Sequence, residues 1–431
     1  MYRPFYPVTM SRQTTGSLIV DVKSDPFLGP SLPISNALVR IREQTLAGPS
    51  KIIAEFNTNV VGQTPELELA APPSELTQSP DQNFTPYSNY TIEVNSEEYL
   101  PIVVQGSQIF STITSIQPAL LIPTSRRSSF TRQVEEDIII GPPTLYGDYA
   151  PKIPESEVKD VTASGFVTLS KVVVPEFVIV HAGSPNNNNA PNYTISFTDY
   201  IKNVASSEIY PTWPTETIIA NTIAIISFTL NRVYTEWYRN QKKNFTITNS
   251  TAFDHAFFYG RNIFETISQV VDEYFDIYVK RPGVVQPLLT QYCDGAKSQC
   301  PNAMTQWGSK SLGDDGLSYE QILKFYYGSD VSLPTAPEVQ GIPESYPGSP
   351  LKLGDSGPNV RMIQEQLNRI ANNYPLIPKI KSDGNFDAAT QEAVKLFQKI
   401  FHLPQDGVVG KDTWYKISEI YTAVSKIAEL T

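Results

Sequence analysis

Between residues 16 and 123 apolar positions recur at every second residue, in SLIVDVKS, ALVRIREQ, KIIAEFNT, YTIEVNS, LPIVVQGSQIF and SIQPALLIP. Turn-rich pieces such as DPFLGPSLP and SPDQNFTPYSN separate these runs. Short alternating runs with Pro/Gly punctuation predict a small β-sandwich over residues 1–123. The alternation lapses over 124–171, where SRRSSFTRQVEEDIIIGPPTLYGDYAPKIPESEVKD has charge clusters, a Pro-Pro pair and little periodicity. That stretch reads as a linker, the kind of exposed segment where proteases cut. An apolar strand pattern resumes in VVVPEFVIVHAG, so a second domain is expected over 172–330.

Within that second domain the period changes to that of helices. TDYIKNVASSEI predicts a short, exposed helix that Pro211 ends, and Pro214 suits the first turn of the next. TETIIANTIAIISFTLNRVYTEWYRN predicts one long helix, apolar nearly all round in its first half and therefore buried. ETISQVVDEYFDIYV predicts an amphipathic helix, LLTQYCDG a strand, and GLSYEQILKFYYG a helix burying Ile322, Leu323, Tyr326 and Tyr327. Residues 331–350 are proline-rich and predict a second linker. The tail, 351–431, predicts three short helices. One is lined by Val360, Ile363 and Leu367, another by Ala393, Val394, Leu396 and Phe397, with Thr390 and Thr413 near helix starts. Asp-Gly turns at Asp383–Phe386 and Asp406–Val409 hint at an internal repeat. The fold class is therefore multidomain α+β.

Composition narrows the function classes. The net charge of −11 divides as −6 over residues 1–171, −6 over 172–350 and +1 over 351–431. An acidic chain without a basic stripe is not expected to bind nucleic acid, whose affinity rests on Lys/Arg meeting phosphate. No apolar run is long enough to span a membrane, and MYRPFYPVTMSRQ has no apolar core of an ordinary signal peptide. His181, His255 and His402 lie far apart and no HExxH occurs. Cys293 and Cys300, in CDGAKSQC, suit a local disulfide or two free thiols better than a metal.

The tail stretches LKLGDSGPNVRMIQEQLNRI and SDGNFDAATQEAVKLFQKIFHLPQDGVVGKDTW resemble the peptidoglycan-binding domain 1 family, departing at Ile363 and Asp387. The resemblance implies attachment to wall glycan. In the first domain the proline-led ISNALVRI and the late EEYLPIVV resemble prealbumin-like domains of carboxypeptidase-regulatory type. In the second domain, Tyr200, Val204, Glu208, Trp213, Pro214, Glu216 and Ala220 resemble one element of the SpoIID/LytB family. Met304 to Gly308 with GLSYEQILKFYYG resembles the second. Asn221 and Ile226 depart from that family's Gln and Arg, and the cysteine and histidine positions that hold zinc in some members are not found around Thr251–His255. The order of all these parts resembles spore cortex-lytic enzymes of clostridial type. In that group the N-terminal part is a prosegment, which puts the expected cut near Lys171–Val172.

By residue type alone Glu208 is either an ordinary helix-end charge or a general acid kept protonated by apolar, aromatic neighbours. The SpoIID resemblance implies the latter: a lytic transglycosylase cleaving MurNAc–GlcNAc bonds with a single glutamate, Glu208. Tyr210, Trp213, Tyr292, Gln306 and Trp307 are the expected substrate-binding residues, with Tyr210, Trp213 and Trp307 stacking on sugar rings, Gln306 donating a hydrogen bond, and core packing the competing role for Tyr292. Glu216 is expected to support its helix N-terminus. The resemblance further implies cortex peptidoglycan as substrate, an activating protease as partner, a spore location, and neither cofactor nor metal. Two other readings compete: a non-catalytic wall-binding amidase enhancer, and a muramidase pairing Glu208 with Asp199 or Glu216.

Overall fold

The computed structural model describes residues 14–25, 31–45, 48–80, 84–125, 137–160, 166–300 and 303–425. The start of the chain and the charge cluster at 126–136, both read above from sequence, lie outside the described residues.

The alternating runs fold as two sheets facing each other. One has the order β3 (Gly48–Asn57), β2 (Leu38–Thr45), β5 (Ser88–Asn95), β6 (Ile102–Ile109) and β8 (Asp137–Ile139). The other runs β13 (Ile263–Phe264), β7 (Thr114–Leu121), β1 (Thr14–Ser24) and β4 (Leu67–Ala71). Every second side chain of β1, Leu18, Val20 and Val22, points into the core shared with Val39, Ile41, Ile92 and Val104 of the opposite sheet. That is what period-two patterning requires of a sheet with one buried face. Each sheet borrows an edge from outside the predicted sandwich. β8, from the stretch read as a linker, pairs in parallel with β6, and β13, from the next domain, pairs antiparallel with β7. Gly106 in β6 has φ +89°, and a Cβ there would come within 2.7 Å of the Ile140 carbonyl, so only glycine lets that chain lie so close.

The central domain begins with β9 (Val173–Val174), β10 (Phe177–His181) and β11 (Asn192–Ser196). Then come α1 (Phe197–Glu208), α2 (Thr215–Tyr234), α3 (Trp237–Asn240) and β12 (Ile247–Thr248). After β13 follow α4 (Glu265–Tyr274), β14 (Tyr292–Cys293), β15 (Met304–Thr305), α5 (Gln306–Asp314) and α6 (Tyr319–Tyr327). α2 is buried from Thr217 to Arg232, as its all-round apolar sequence predicts. Two expectations need correcting. α1 is not exposed but buried from Tyr200 to Glu208, because α2, α4 and the sandwich surround it. The long helix stops at Tyr234, where Glu236 takes φ 47°, and α3 restarts beyond it. Cys293 and Cys300 are joined in a disulfide.

The proline-rich stretch adds β16 (Glu338–Val339), paired in parallel with β9, and buries Val331 and Ala336. The tail is three helices, α7 (Pro358–Ile370), α8 (Ala388–Ile400) and α9 (Lys411–Ser425). Its repeat has a physical basis. Gln364 accepts from Gly384 N at 2.9 Å and donates to Asn385 O at 2.9 Å and Thr390 Oγ1 at 3.1 Å. Gln398 makes the same set with Gly407 N at 2.9 Å, Val408 O at 3.0 Å and Thr413 Oγ1 at 3.2 Å. In both halves a buried glutamine satisfies the backbone of an Asp-Gly turn and a threonine in the first turn of the following helix.

Candidate active site

α1 carries Glu208 as its last residue, after the Ser196 cap that accepts from Asp199 N at the other end. Pro211 and the extended backbone at Ile209 stop the helix there, which leaves the carboxylate facing two elements distant in sequence. Ala256 N donates to Oε1 at 2.8 Å, and Gln306 Nε2, at the start of α5, donates to Oε2 at 3.2 Å and to the Glu208 carbonyl at 3.1 Å. Tyr292, from β14, lies beside the carboxyl, and its buried hydroxyl has no well-formed hydrogen bond. Glu208 is only 3% exposed. Burial pushes its carboxyl above the ordinary value, opposed first by the Lys152 ammonium and then by the donors from Ala256, Tyr292 and Gln306.

Behind Tyr292 stands a chain of buried aromatic and polar rings. His255 stacks on Tyr292 with centroids 5.9 Å apart, and its Nδ1 is 2.9 Å from the Tyr200 hydroxyl. Its Nε2 is buried without a partner. Burial, then Lys152 and Arg232, hold the imidazole well below its usual range, so it is neutral.

The other expected residues form a second group. Tyr210, Trp213 and Trp307 pack on one another, with ring centroids 5.0 to 6.1 Å apart. Tyr210 and Trp213 are buried in this chain, because the sandwich docks on them. Phe110 lies 5.7 Å from Tyr210, and Trp213 Nε1 donates to the Thr77 carbonyl at 2.9 Å. Trp307 is half-buried.

The competing carboxylates are elsewhere. Glu216 accepts from Tyr319 N at 2.7 Å and so serves the N-terminus of α6 as well as α2. Asp199 is exposed at the far end of α1, nine residues and about 13 Å along the axis from Glu208 at ~1.5 Å per residue. Asn221 donates to Ser309 Oγ at 2.8 Å and Thr217 O at 2.9 Å, tying α2 to α5, and Ile226 is fully buried. Among the described residues no group of three or more His, Cys, Asp or Glu is placed to hold a metal ion.

Sequence reasoning missed Lys152 and His255. Lys152 comes from the stretch between the sandwich and the central domain. Its Nζ donates to the Asp254 carbonyl and sits 4.5 Å from the Tyr292 ring centroid and 5.5 Å from that of Phe228. No periodicity or motif marks that lysine. Thr144, from the same stretch, donates its N–H to the Ser207 carbonyl at 2.9 Å and its hydroxyl to the Glu208 carbonyl at 3.3 Å.

Residues 356–417 match the family described as "Putative peptidoglycan binding domain". The chain therefore carries a peptidoglycan-binding domain at its tail, and peptidoglycan is its partner there. A search of curated proteins finds no match. Among solved structures, the SleB N-terminal domain is 28% identical, covering 18% of this chain and 99% of its own, with a TM-score of 0.16. A 3-chlorocatechol 1,2-dioxygenase from Rhodococcus opacus 1CP is 10% identical over 26% of this chain and 62% of its own, at TM-score 0.18. Transthyretin from Sparus aurata is 16% identical over 24% and 89%, at TM-score 0.14. At such TM-scores these likenesses decide nothing about the central domain.

Proposed function

We propose that this chain is the precursor of a spore cortex-lytic enzyme of the SleC type, a lytic transglycosylase whose single acid and base is Glu208. One observation carries the reading: the chain buries a carboxyl at a helix end, among Gln306, Tyr292 and the Ala256 amide. The Glu208 carboxyl is moved upward by burial, the direction a general acid requires. It gives its proton to the glycosidic oxygen as the C1–O bond breaks, and GlcNAc leaves as an alcohol. The resulting carboxylate takes the proton of the muramyl C6 hydroxyl, whose oxygen closes on C1. The product is a 1,6-anhydromuramyl end, with no water consumed.

Hydrolases of this class place two carboxyls about 5–9.5 Å apart. Asp199 is too far along α1, and Glu216 is engaged at α6, which favours one carboxyl over the muramidase pair. At the expected cut Lys171 is exposed and paired with Glu338 Oε2 at 2.5 Å, and Val172 is buried just after it. Everything ahead of the cut that touches Glu208 or Trp213 would then belong to the removed part.

The test is mass spectrometry of cortex glycan exposed to the uncut chain, the cut chain, and the cut chain with Glu208→Gln. Anhydromuramyl ends from the cut wild type alone are expected. Reducing ends instead would make it a muramidase. Binding without new ends would make it an amidase enhancer, and equal activity before and after cutting would remove the zymogen reading.

A further inference from the structure

Residues 142–159 cross the central domain as a strap, bonded at nearly every step. Lys297, in the disulfide loop, donates to the Tyr146 carbonyl at 2.6 Å and the Gly147 carbonyl at 2.9 Å. Ile153 N donates to Ala252 O at 2.7 Å, and Gln291 Nε2 donates back to Ile153 O at 2.8 Å. Leu289 N donates to Glu157 O at 2.8 Å, and Lys159 N to Gln286 Oε1 at 2.6 Å. The strap presents two charges of opposite sign, three residues apart: Lys152, whose ammonium acts on the Glu208 carboxyl, and Glu155, paired with Arg232 and with the strap's own Lys159.

Arg232 is the informative partner. It is 1% exposed, near the C-terminal end of α2. Its Nε donates to Asp254 Oδ1 at 2.8 Å and its Nη2 to the Phe253 carbonyl at 3.0 Å. Asp254 is fixed in turn by the Tyr238 hydroxyl at 2.6 Å and by Thr248 N and Oγ1 at 2.9 and 2.7 Å. The central domain thus fixes the inner edge of the guanidinium. Its outer edge holds the Glu155 carboxylate, Nη2 to Oε1 at 2.6 Å and Nη1 to Oε2 at 3.1 Å. A planar two-point fork selects carboxylate geometry, which an ammonium does not. The Phe228 ring joins the two spots, 4.9 Å from the Arg232 guanidinium and 5.5 Å from Lys152.

If the strap departs with the removed part, this edge loses its acceptor and its cover together, leaving a fixed two-point donor open to a carboxylate from solution. We propose that the strap is a substrate mimic and that Arg232 is a carboxylate subsite of the glycan groove. The fork that holds Glu155 in the uncut chain takes a carboxylate of the muramyl unit after release. That carboxylate is either the lactyl group or the end of a peptide stem. The proposal rests on the reading of Glu208 as the catalytic acid.

The experiment uses the full chain with a specific protease sequence placed at 168–171, cut in solution. Three glycans are compared: stems intact, stems removed by an amidase so that the lactyl carboxylate is free, and carboxylates amidated by carbodiimide and ammonia. Amidation is expected to raise KM about tenfold or more with kcat within twofold, and whichever carboxylated glycan keeps the low KM identifies the source. Equal KM on all three overturns the subsite while leaving Glu208 as the acid. If no glycan is cleaved, the catalytic reading fails, and calorimetry with the same three glycans still decides: carboxylate-dependent binding supports the subsite, and equal binding overturns it. Arg232→Lys, checked for folding by its Tm, should reproduce the amidation effect on the carboxylated glycan. Wild-type KM on that variant overturns the proposal as well.

Discussion

Gln398 in the tail and Gln306 in the central domain are both almost wholly buried, 1% and 2% exposed, and both stand in motif positions. Their surroundings differ in kind. Gln398 is used up by its own repeat: its amide reaches Asp406, Val408 and Thr413, and its oxygen takes the Gly407 N–H. Gln306 donates to a carboxylate that the Tyr292 hydroxyl also faces, and the His255 Nε2 behind that ring is buried without a partner. Buried polar groups are normally satisfied, and exceptions need a reason. A motif whose polar atoms close on themselves builds a fold, whereas one that leaves neighbours open around a carboxyl is arranged for a ligand.

The largest effect that tests this contrast is Glu208→Gln. In the cut chain it should reduce glycan cleavage by about 10²–10⁴-fold, the usual worth of a positioned acid and base. Stability should move the other way. Because burial raises the folded-state pKa of Glu208, its contribution is present below the ordinary carboxyl range and is lost as pH rises through the folded value. The amide does not titrate, so its Tm advantage over wild type should grow as pH rises through that window. Undiminished cleavage would make Glu208 a structural group and erase the difference between the two regions. Gln306→Leu comes next, with cleavage about 10²-fold lower, as when one preorganised donor is removed, while wall binding by the tail stays intact. A Gln306 variant that is unstable but fully active would put it in the same class as Gln398.

Lys152→Met in the uncut chain separates charge from cover. Without the ammonium, the Glu208 carboxyl should titrate higher still, since Lys152 is the first of the groups holding it down. A pH series of Tm, referenced to the double variant with Glu208→Gln, reads that shift. The uncut chain should stay inactive, because Thr144 and the rest of the strap still cover the site. Activity in the uncut variant would show that the cation, not the cover, is the restraint.

Legibility in the sequence followed periodicity. β1 and the tail helices could be read because each buries one repeating face, and α2 because its long run is apolar all round. The strap could not, since its backbone bonds go to loops near 252 and 289 and leave no period to see. The two- and three-residue strands β8, β9, β13 and β16 and their like escape for the same reason, and they are what join the sandwich and the proline-rich stretch to the central domain. The break after Tyr234 carries no Gly or Pro. At the site, Glu208 and Gln306 were legible through motif positions, and the structure brings them together with Tyr292, which no motif marks. Tyr210 and Trp213 were legible as aromatics, but not as residues already covered by Phe110 and Thr77.

The smallest effect is the one on the tail, and it completes the contrast. Gln398→Leu keeps the volume and removes the partners of the Gly407 N–H and the Val408 carbonyl. Leaving those backbone groups unsatisfied should cost about 1–3 kcal/mol of stability. The loss should fall on the turn between α8 and α9, visible as faster amide exchange there. Retention on insoluble wall should drop as that turn opens, yet the cut chain should cleave short soluble glycans at the wild-type rate. The same variant at the equivalent position, Gln364→Leu, should behave alike, because both glutamines perform one structural task. If either substitution left stability unchanged while abolishing wall binding, the tail glutamines would be ligand-binding groups, and the line drawn between the two regions would have to move.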